Sequence, residues 1–217
     1  TMSGNGTGTG NLISIDEKGD IYAVGTFSGT IQFETQSMTA ASVENTDNFL
    51  VKYAADGSMA WARSLKGSKL DDINAMDVAN HQVVIGGVIR SEDLAVDNAP
   101  GILMKTLDTT GTWNSMLIIS FDTDGNYQWN YIAGSSNQPT DVKTIAIEKD
   151  GSIWNAGTTF GTYYFNPDAE DEAKQFPSKA KGGQDMYLMK LSSKGGSVDR
   201  TPCGRCNQGR SNGNGGR

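Results

Sequence analysis

Several clusters in this 217-residue chain have residue types and spacings that chemistry uses. Cys203-Gly204-Arg205-Cys206 is a Cys-x-x-Cys pair, a spacing at which two thiolates bind zinc or exchange a disulfide. Zinc needs four ligands, and the sole histidine, His81, lies far along the chain in a predicted turn. A thioredoxin-like pair opens a helix after a strand, and no such pattern precedes Cys203. A local disulfide or two idle thiols is the favoured reading. Asp122-x-Asp124-Gly125-Asn126 resembles a calcium loop in part, but it lacks the glycine at position six and the closing bidentate Glu, so it reads as a hairpin turn. Asp168, Glu170, Asp171 and Glu172 read as a solvated acidic loop, with a cation site as the alternative. GNGTGTG at 4–10 lacks the Gly-Lys-Ser/Thr ending of a phosphate loop and precedes a strand. It reads as part of a flexible leader, in which Asn5-Gly6-Thr7 would accept a glycan only in a eukaryotic secretory route.

Catalysis needs converging acid and base partners. With one histidine, no cysteine before 203 and no nucleophile motif, only carboxylates and lysines remain, and no spacing pairs them. No catalytic residue, metal site or cofactor is therefore predicted. Trp61, Trp129 and Trp154 sit at repeat positions and read as inter-blade packing residues. Trp113 falls outside that pattern and is the candidate ligand-binding aromatic.

Such residues need a frame to hold them. The composition, with 36% hydrophobic residues and 27 glycines, favours short strands and many turns over long helices. A net charge of −7 and a pI near 4.7 argue against nucleic acid or an anionic membrane as partner. No apolar run approaches the roughly 20 residues needed to span a bilayer. The start at Thr1 carries no basic-then-apolar leader, so any secretion signal is expected to be absent or removed. The body is free of cysteine, which leaves the redox compartment open.

Three stretches repeat at about 60–70 residues: LISIDEKGDIYAVGTFSGTIQF at 12–33, INAMDVANHQVVIGGV at 73–88 and TIAIEKDGSIWNAGTTFGTYYF at 144–165. They align on Gly25, Gly86 and Gly157, and the first and third keep register to Phe33 and Phe165. The middle unit carries Ala79-Asn80-His81 at its turn, where Asn tolerates a positive φ angle. Each unit continues with a second pair of strand-like runs: FLVKYAADGSMAW at 49–61, LIISFDTDGNYQW at 117–129 and the weaker YLMKLSSKGGSVD at 187–199. Asp56-Gly57 and Asp124-Gly125 are hairpin signals, and Trp61 and Trp129 each follow the turn glycine at the same offset. Each unit thus predicts four short antiparallel strands in two hairpins, which must stack on a neighbour to be stable. Four strands per repeated unit is the make-up of a β-propeller blade.

The repeat resembles the SBBP-type, seven-bladed β-propeller repeat family. The residues carrying the resemblance are Asp16, Gly19, Ile21, Tyr22, Gly25, Phe27, Gly29, Thr30 and Phe33, then Asp47, Phe49, Lys52, Tyr53, Gly57 and Trp61. The third unit keeps Gly151, Ile153, Gly157, Gly161, Phe165, Asp185, Tyr187, Lys190 and Gly195, whereas the second departs at IGGVIRSEDLAV. The resemblance covers about residues 12–196. It implies a bacterial secreted or cell-surface scaffold or binding protein, with no catalytic residues to carry over.

The expected architecture is all-β, with three propeller-type blades forming an open or partial propeller. A leader spans 1–11, blade-like units span 12–72, 73–141 and 142–196, and a Gly/Arg/Asn-rich tail at 197–217 is expected to be disordered. The second unit holds an insertion at 97–113, read as a decorated loop with a degenerate hairpin as the alternative. Three units fall short of the four to eight that usually close a propeller. Either further units or self-association is therefore expected, further units being preferred. The expected function is a non-enzymatic extracellular or cell-surface scaffold or interaction module with a protein partner. A glycan- or polymer-binding module and, below it, a polysaccharide-active enzyme are the alternatives.

Overall fold

The computed structural model describes residues 2–34, 36–41, 45–108, 110–135, 137–164 and 177–201. Among these residues every regular element is a strand, and every pairing is antiparallel. Three meanders, each running in sequence order, make the frame. The first is β2 (Thr7–Ile15), β3 (Ile21–Ser28), β6 (Asp47–Tyr53) and β7 (Met59–Lys66). The second is β8 (Asp72–Ala79), β9 (Gln82–Ile89), β12 (Ser115–Asp122) and β13 (Tyr127–Ala133). The third is β14 (Thr144–Ile147), β15 (Ile153–Tyr164), β16 (Pro177–Leu191) and β17 (Ser197–Thr201). No sheet closes on itself. The all-β expectation holds; the second and third sheets have four strands, whereas the first has six.

Alternation along the strands gives each sheet two apolar faces, and the faces meet in layers. Tyr22, Val24 and Leu50 of the first sheet pack against Val83, Ile85, Ile119 and Phe121 of the second. The other face of the second sheet, with Val84, Met116 and Ile118, packs against Ile145, Ile153, Tyr187 and Met189 of the third. β8 lies beside both β2 and β14, so the first strands of the three sheets are neighbours. A small sheet of β1 (Met2–Gly4), β4 (Thr30–Phe33) and β5 (Gln36–Thr39) folds over the remaining face of the first sheet. There Phe33 meets Phe49 edge-on, with ring centroids 5.1 Å apart.

The expected flexible leader instead holds β1 and, from Thr7, the start of β2, both paired in sheets, and three further features differ from the sequence expectation. In the 94–104 segment, β10 (Leu94–Val96) pairs with β7 and β11 (Leu103–Met104) pairs with β10, so second-unit residues extend the first sheet. The insertion is therefore partly strand, and Leu94, Val96, Ala99 and Met104 enter the core between the first two sheets. Residues 197–201, expected within the tail, form β17 on the edge of the third sheet. The rest of the tail, with Cys203 and Cys206, lies outside the described residues, as do Phe165 and the Asp168–Glu172 acidic run.

The third difference is a register. Gly25 stands opposite Phe49 and Gly157 opposite Tyr187, but opposite the equivalent Leu117 stands Gly87, not Gly86. A Cβ at Gly25, Gly87 or Gly157 would run into the backbone carbonyl of Thr9, Asp72 or Asp141 respectively. The bulges between Gly10 and Leu12 and between Ile73 and Ala75 bring the neighbouring strand that close in the first two sheets. The slip arises at the turn. Asn80 and His81, at φ 50° and 61°, make a two-residue hairpin between paired Ala79 and Gln82, whereas Asp16–Asp20 separate paired Ile15 and Ile21. Gly86 instead faces the third sheet, where a Cβ would lie 2.6 Å from Ile145 Cδ1, the movable end of a side chain.

Gly87→Ala should therefore destabilise the chain by about 3 kcal/mol, and Gly86→Ala by about 1 kcal/mol. Denaturant midpoints check the order; equal losses would contradict the register assigned to Gly87.

Candidate functional site

The residues with chemical potential gather where one sheet's face meets the next sheet's hairpin turn. β7 ends its contact with the second sheet through Trp61, only 8% exposed. Its Nε1 donates to the Thr123 carbonyl at 3.1 Å, and its ring lies on Gly125. Trp129 repeats the arrangement on the third sheet, donating from Nε1 to the Ser193 carbonyl at 3.0 Å with its ring on Gly195. A Cβ on Gly125 or Gly195 would approach the indole to 2.7 or 2.8 Å, and both glycines hold a positive φ. The turn glycine is thus required twice, by its backbone angle and by the ring above it. In the third sheet Asp199 stands opposite Lys190, as Trp61 stands opposite Lys52. Trp154 does not belong to this series; it occupies the place of Tyr22.

Beside each Trp position lies a second group. In the first sheet the Lys52 ammonium pairs with Asp20 at 2.9 Å, donates to the Thr123 carbonyl at 3.2 Å and sits 5.2 Å from the centre of the Tyr22 ring. Tyr22 donates its hydroxyl to Asp16. The third sheet rebuilds the group with Lys190, Trp154 and Glu148: Lys190 pairs with Glu148, Trp154 Nε1 donates to Glu148 at 2.8 Å, and the ammonium lies 5.4 Å from the indole. Burial alone would push the Lys52 amine down, but Asp20 and Tyr22 more than offset it and raise it. Lys52 in turn lowers Asp20, and Lys190 with Trp154 lowers Glu148. Burial pushes the Tyr22 phenol up to about 12 against the pull of Lys52. Lys52 and Asp20 are thus an ionised pair where the first sheet meets the second, and Lys190 and Glu148 form the matching pair on the outward face of the third sheet.

The middle sheet breaks the pattern. The register places Ala79, Val84 and Ser120 where the first sheet has Asp16, Tyr22 and Lys52. A cavity of about 360 Å³ opens there, against the turn of the third sheet. Its lining includes Gln82, Ser120, Trp129 and Ser193 together with His81, Asp122 and Lys194. A second cavity of about 150 Å³ lies between the first-sheet and second-sheet turns, beside Lys18, Asn80 and His81.

The remaining candidates are placed as follows. Asp122 accepts the backbone N–H groups of Asp124 and Asn126 and the side-chain amides of Asn126 and Gln128, which makes it a turn cap. Among the described residues no three His, Cys, Asp or Glu side chains group as metal ligands. Trp113 lies in the loop between β11 and β12, 40% exposed, its backbone N–H bound by Asp108 at 2.6 Å. Burial opposes ionisation of Asp108, but Thr110 and Trp113 donate to it and hold it below the usual carboxylate range. Neither cavity includes Trp113 in its wall. No helix among the described residues is long and apolar enough to cross a membrane. No protein-family model matches the chain, and no curated protein matches it either.

Two measurements test the interface chemistry. Gly125→Ala should cost about 2–4 kcal/mol, against about 1 kcal/mol for Gly57→Ala, whose Cβ would meet nothing within 4 Å; equal shifts in melting temperature would rule out the indole contact. The folded Tyr22 titrates at about 12 and the unfolded one at its ordinary 10. Its contribution to stability is therefore whole below pH 10 and is lost as pH rises through 12. Denaturant midpoints across that window should fall less steeply for Tyr22→Phe than for the parent chain.

Proposed function

We propose that the chain is a non-enzymatic scaffold module of β-propeller type, secreted or displayed at a cell surface, that works by stacking sheet upon sheet. The observation that carries this reading is the outward face of the third sheet. Leu188, Lys190 and Trp154 stand there in the places of Leu50, Lys52 and Tyr22, the residues with which the first sheet grips the second. Met186, on the same face, is 50% exposed. At the other end, the small sheet covers the β6–β7 side of the first sheet and leaves Ile13 and Ile15 70% and 60% exposed beside Tyr53 and Met59. One end offers the gripping face and the other an apolar surface. A second copy fits head to tail, a contact that repeats rather than closing on itself in pairs. The resemblance of the repeat to SBBP-type sequences and the paired state of the ionisable groups support the same reading.

Sedimentation of the chain over a wide concentration range tests it. Association that rises with concentration and is lost in Leu188→Asp and Ile13→Asp, with β-sheet circular dichroism retained, is the expected result. A single monomeric species throughout would overturn the self-stacking reading.

A second reading, as a glycan-binding module, rests on the exposed Trp113 indole in its Asp108-held loop. Polysaccharide pull-down should then fall at least about tenfold in Trp113→Ala; retention by no polysaccharide at all would remove it.

A further inference from the structure

We infer that the cavity between the second and third sheets binds a primary alkylammonium group, carried by a free amine or by a lysine side chain. In the first interface the space beside the Trp is filled by Lys52, whose ammonium shares the Thr123 carbonyl with Trp61 Nε1 and pairs with Asp20. In the second interface the same carbonyl position is Ser193, which accepts Trp129 Nε1 at 3.0 Å. The lysine position is Ser120, too short to reach that carbonyl, and the Asp20 position is Gln82.

What remains is a space of about 360 Å³ whose wall includes Ser120, Gln82 and Ser193. Ser120, 1% exposed, has an Oγ that makes no hydrogen bond within the protein. The Oε1 of Gln82 is likewise buried without a partner, while its Nε2 is held by the Gly151 carbonyl at 3.2 Å, which fixes the amide. Ser120 Oγ, Gln82 Oε1 and the second lone pair of the Ser193 carbonyl can take the three protons of an ammonium. The Trp129 ring, cross-strand from Ser120, supplies an apolar and π-rich wall for the stem and the charge. A buried acceptor without a donor is costly, so a ligand that supplies protons to these atoms gains what an alcohol or a quaternary ammonium cannot fully supply. Asp122 and Lys194, which also line the cavity, carry opposite charges.

The test is a titration of the full chain with n-butylammonium chloride, following the Trp129 indole N–H signal by NMR. Butan-1-ol and tetramethylammonium serve as controls at equal ionic strength. A saturable shift about tenfold tighter for butylammonium than for either control is expected. It should vanish in Ser120→Lys, which supplies the ammonium internally, with the Trp61 signal unmoved. Gln82→Leu, which keeps Ser120, should weaken it about fivefold. Nα-acetyl-lysine N-methylamide separates the sources: saturation by it extends the site to lysine side chains of a protein, and saturation by butylammonium alone restricts it to free amines. No saturable response to either amine, equal binding of butanol, or an undiminished response in both variants would overturn the proposal.

Discussion

The frame depends on one contact made twice: an indole lying flat on the turn glycine of the next sheet while its N–H meets a carbonyl of that turn. A four-stranded meander has two apolar faces and cannot hide either alone. Apolar burial would hold two such sheets together in many slightly rotated ways, because it has no direction. The hydrogen bonds from Trp61 to Thr123 and from Trp129 to Ser193 select one of them. They also explain why the turn must end in glycine, since the ring occupies the volume a side chain would need. Lys52 adds to this lock from the same face. Lys52 reaches the very carbonyl that Trp61 uses, so a charged and an aromatic donor converge on one turn oxygen.

The lysine–carboxylate pairs recur at the same place in the first and third sheets. Lys52 with Asp20 and Lys190 with Glu148 are each neutral as pairs and each lie against an aromatic ring. Such an arrangement gives a packed face orientation and resists slippage, because moving the sheet by one residue would strand a charge. Where the chain departs from it, at Ser120, a cavity takes the place of the lysine group. Repeat proteins vary at the places where the frame can spare a contact, and the middle unit spares one because sheets on both sides already hold it.

Much of the frame was legible in the sequence because it rests on local signals. Gly57, Gly125 and Gly195 mark their hairpins, and Trp61 and Trp129 follow at a fixed offset that only a repeated contact would maintain. What was not legible depends on register and on distance. Aligning glycines placed Gly86 with Gly25, because the two-residue turn at Asn80-His81 is shorter than its counterpart and one unit of slip exchanges the faces of a strand. β10 and β11 are too short to show any period, and β10 pairs with a strand some thirty residues earlier. Ser197–Thr201 carries little apolar character, so its pairing with β16 rests on backbone hydrogen bonds that no composition reveals. The candidate cavity was hidden for a related reason: Ala79, Val84 and Ser120 are unremarkable singly, and gain meaning only when three strands are superposed on their counterparts.

The β10–β11 extension changes how the layers come apart. A segment that belongs to the second meander by sequence is woven into the ladder of the first, with Leu94 and Met104 under both. Separating those two layers therefore requires breaking strand hydrogen bonds as well as parting two faces. Under tension they yield as a single mechanical element. Between β9 and β12 the chain makes a round trip to its neighbour, and that detour turns two adjacent repeats into one cooperative block.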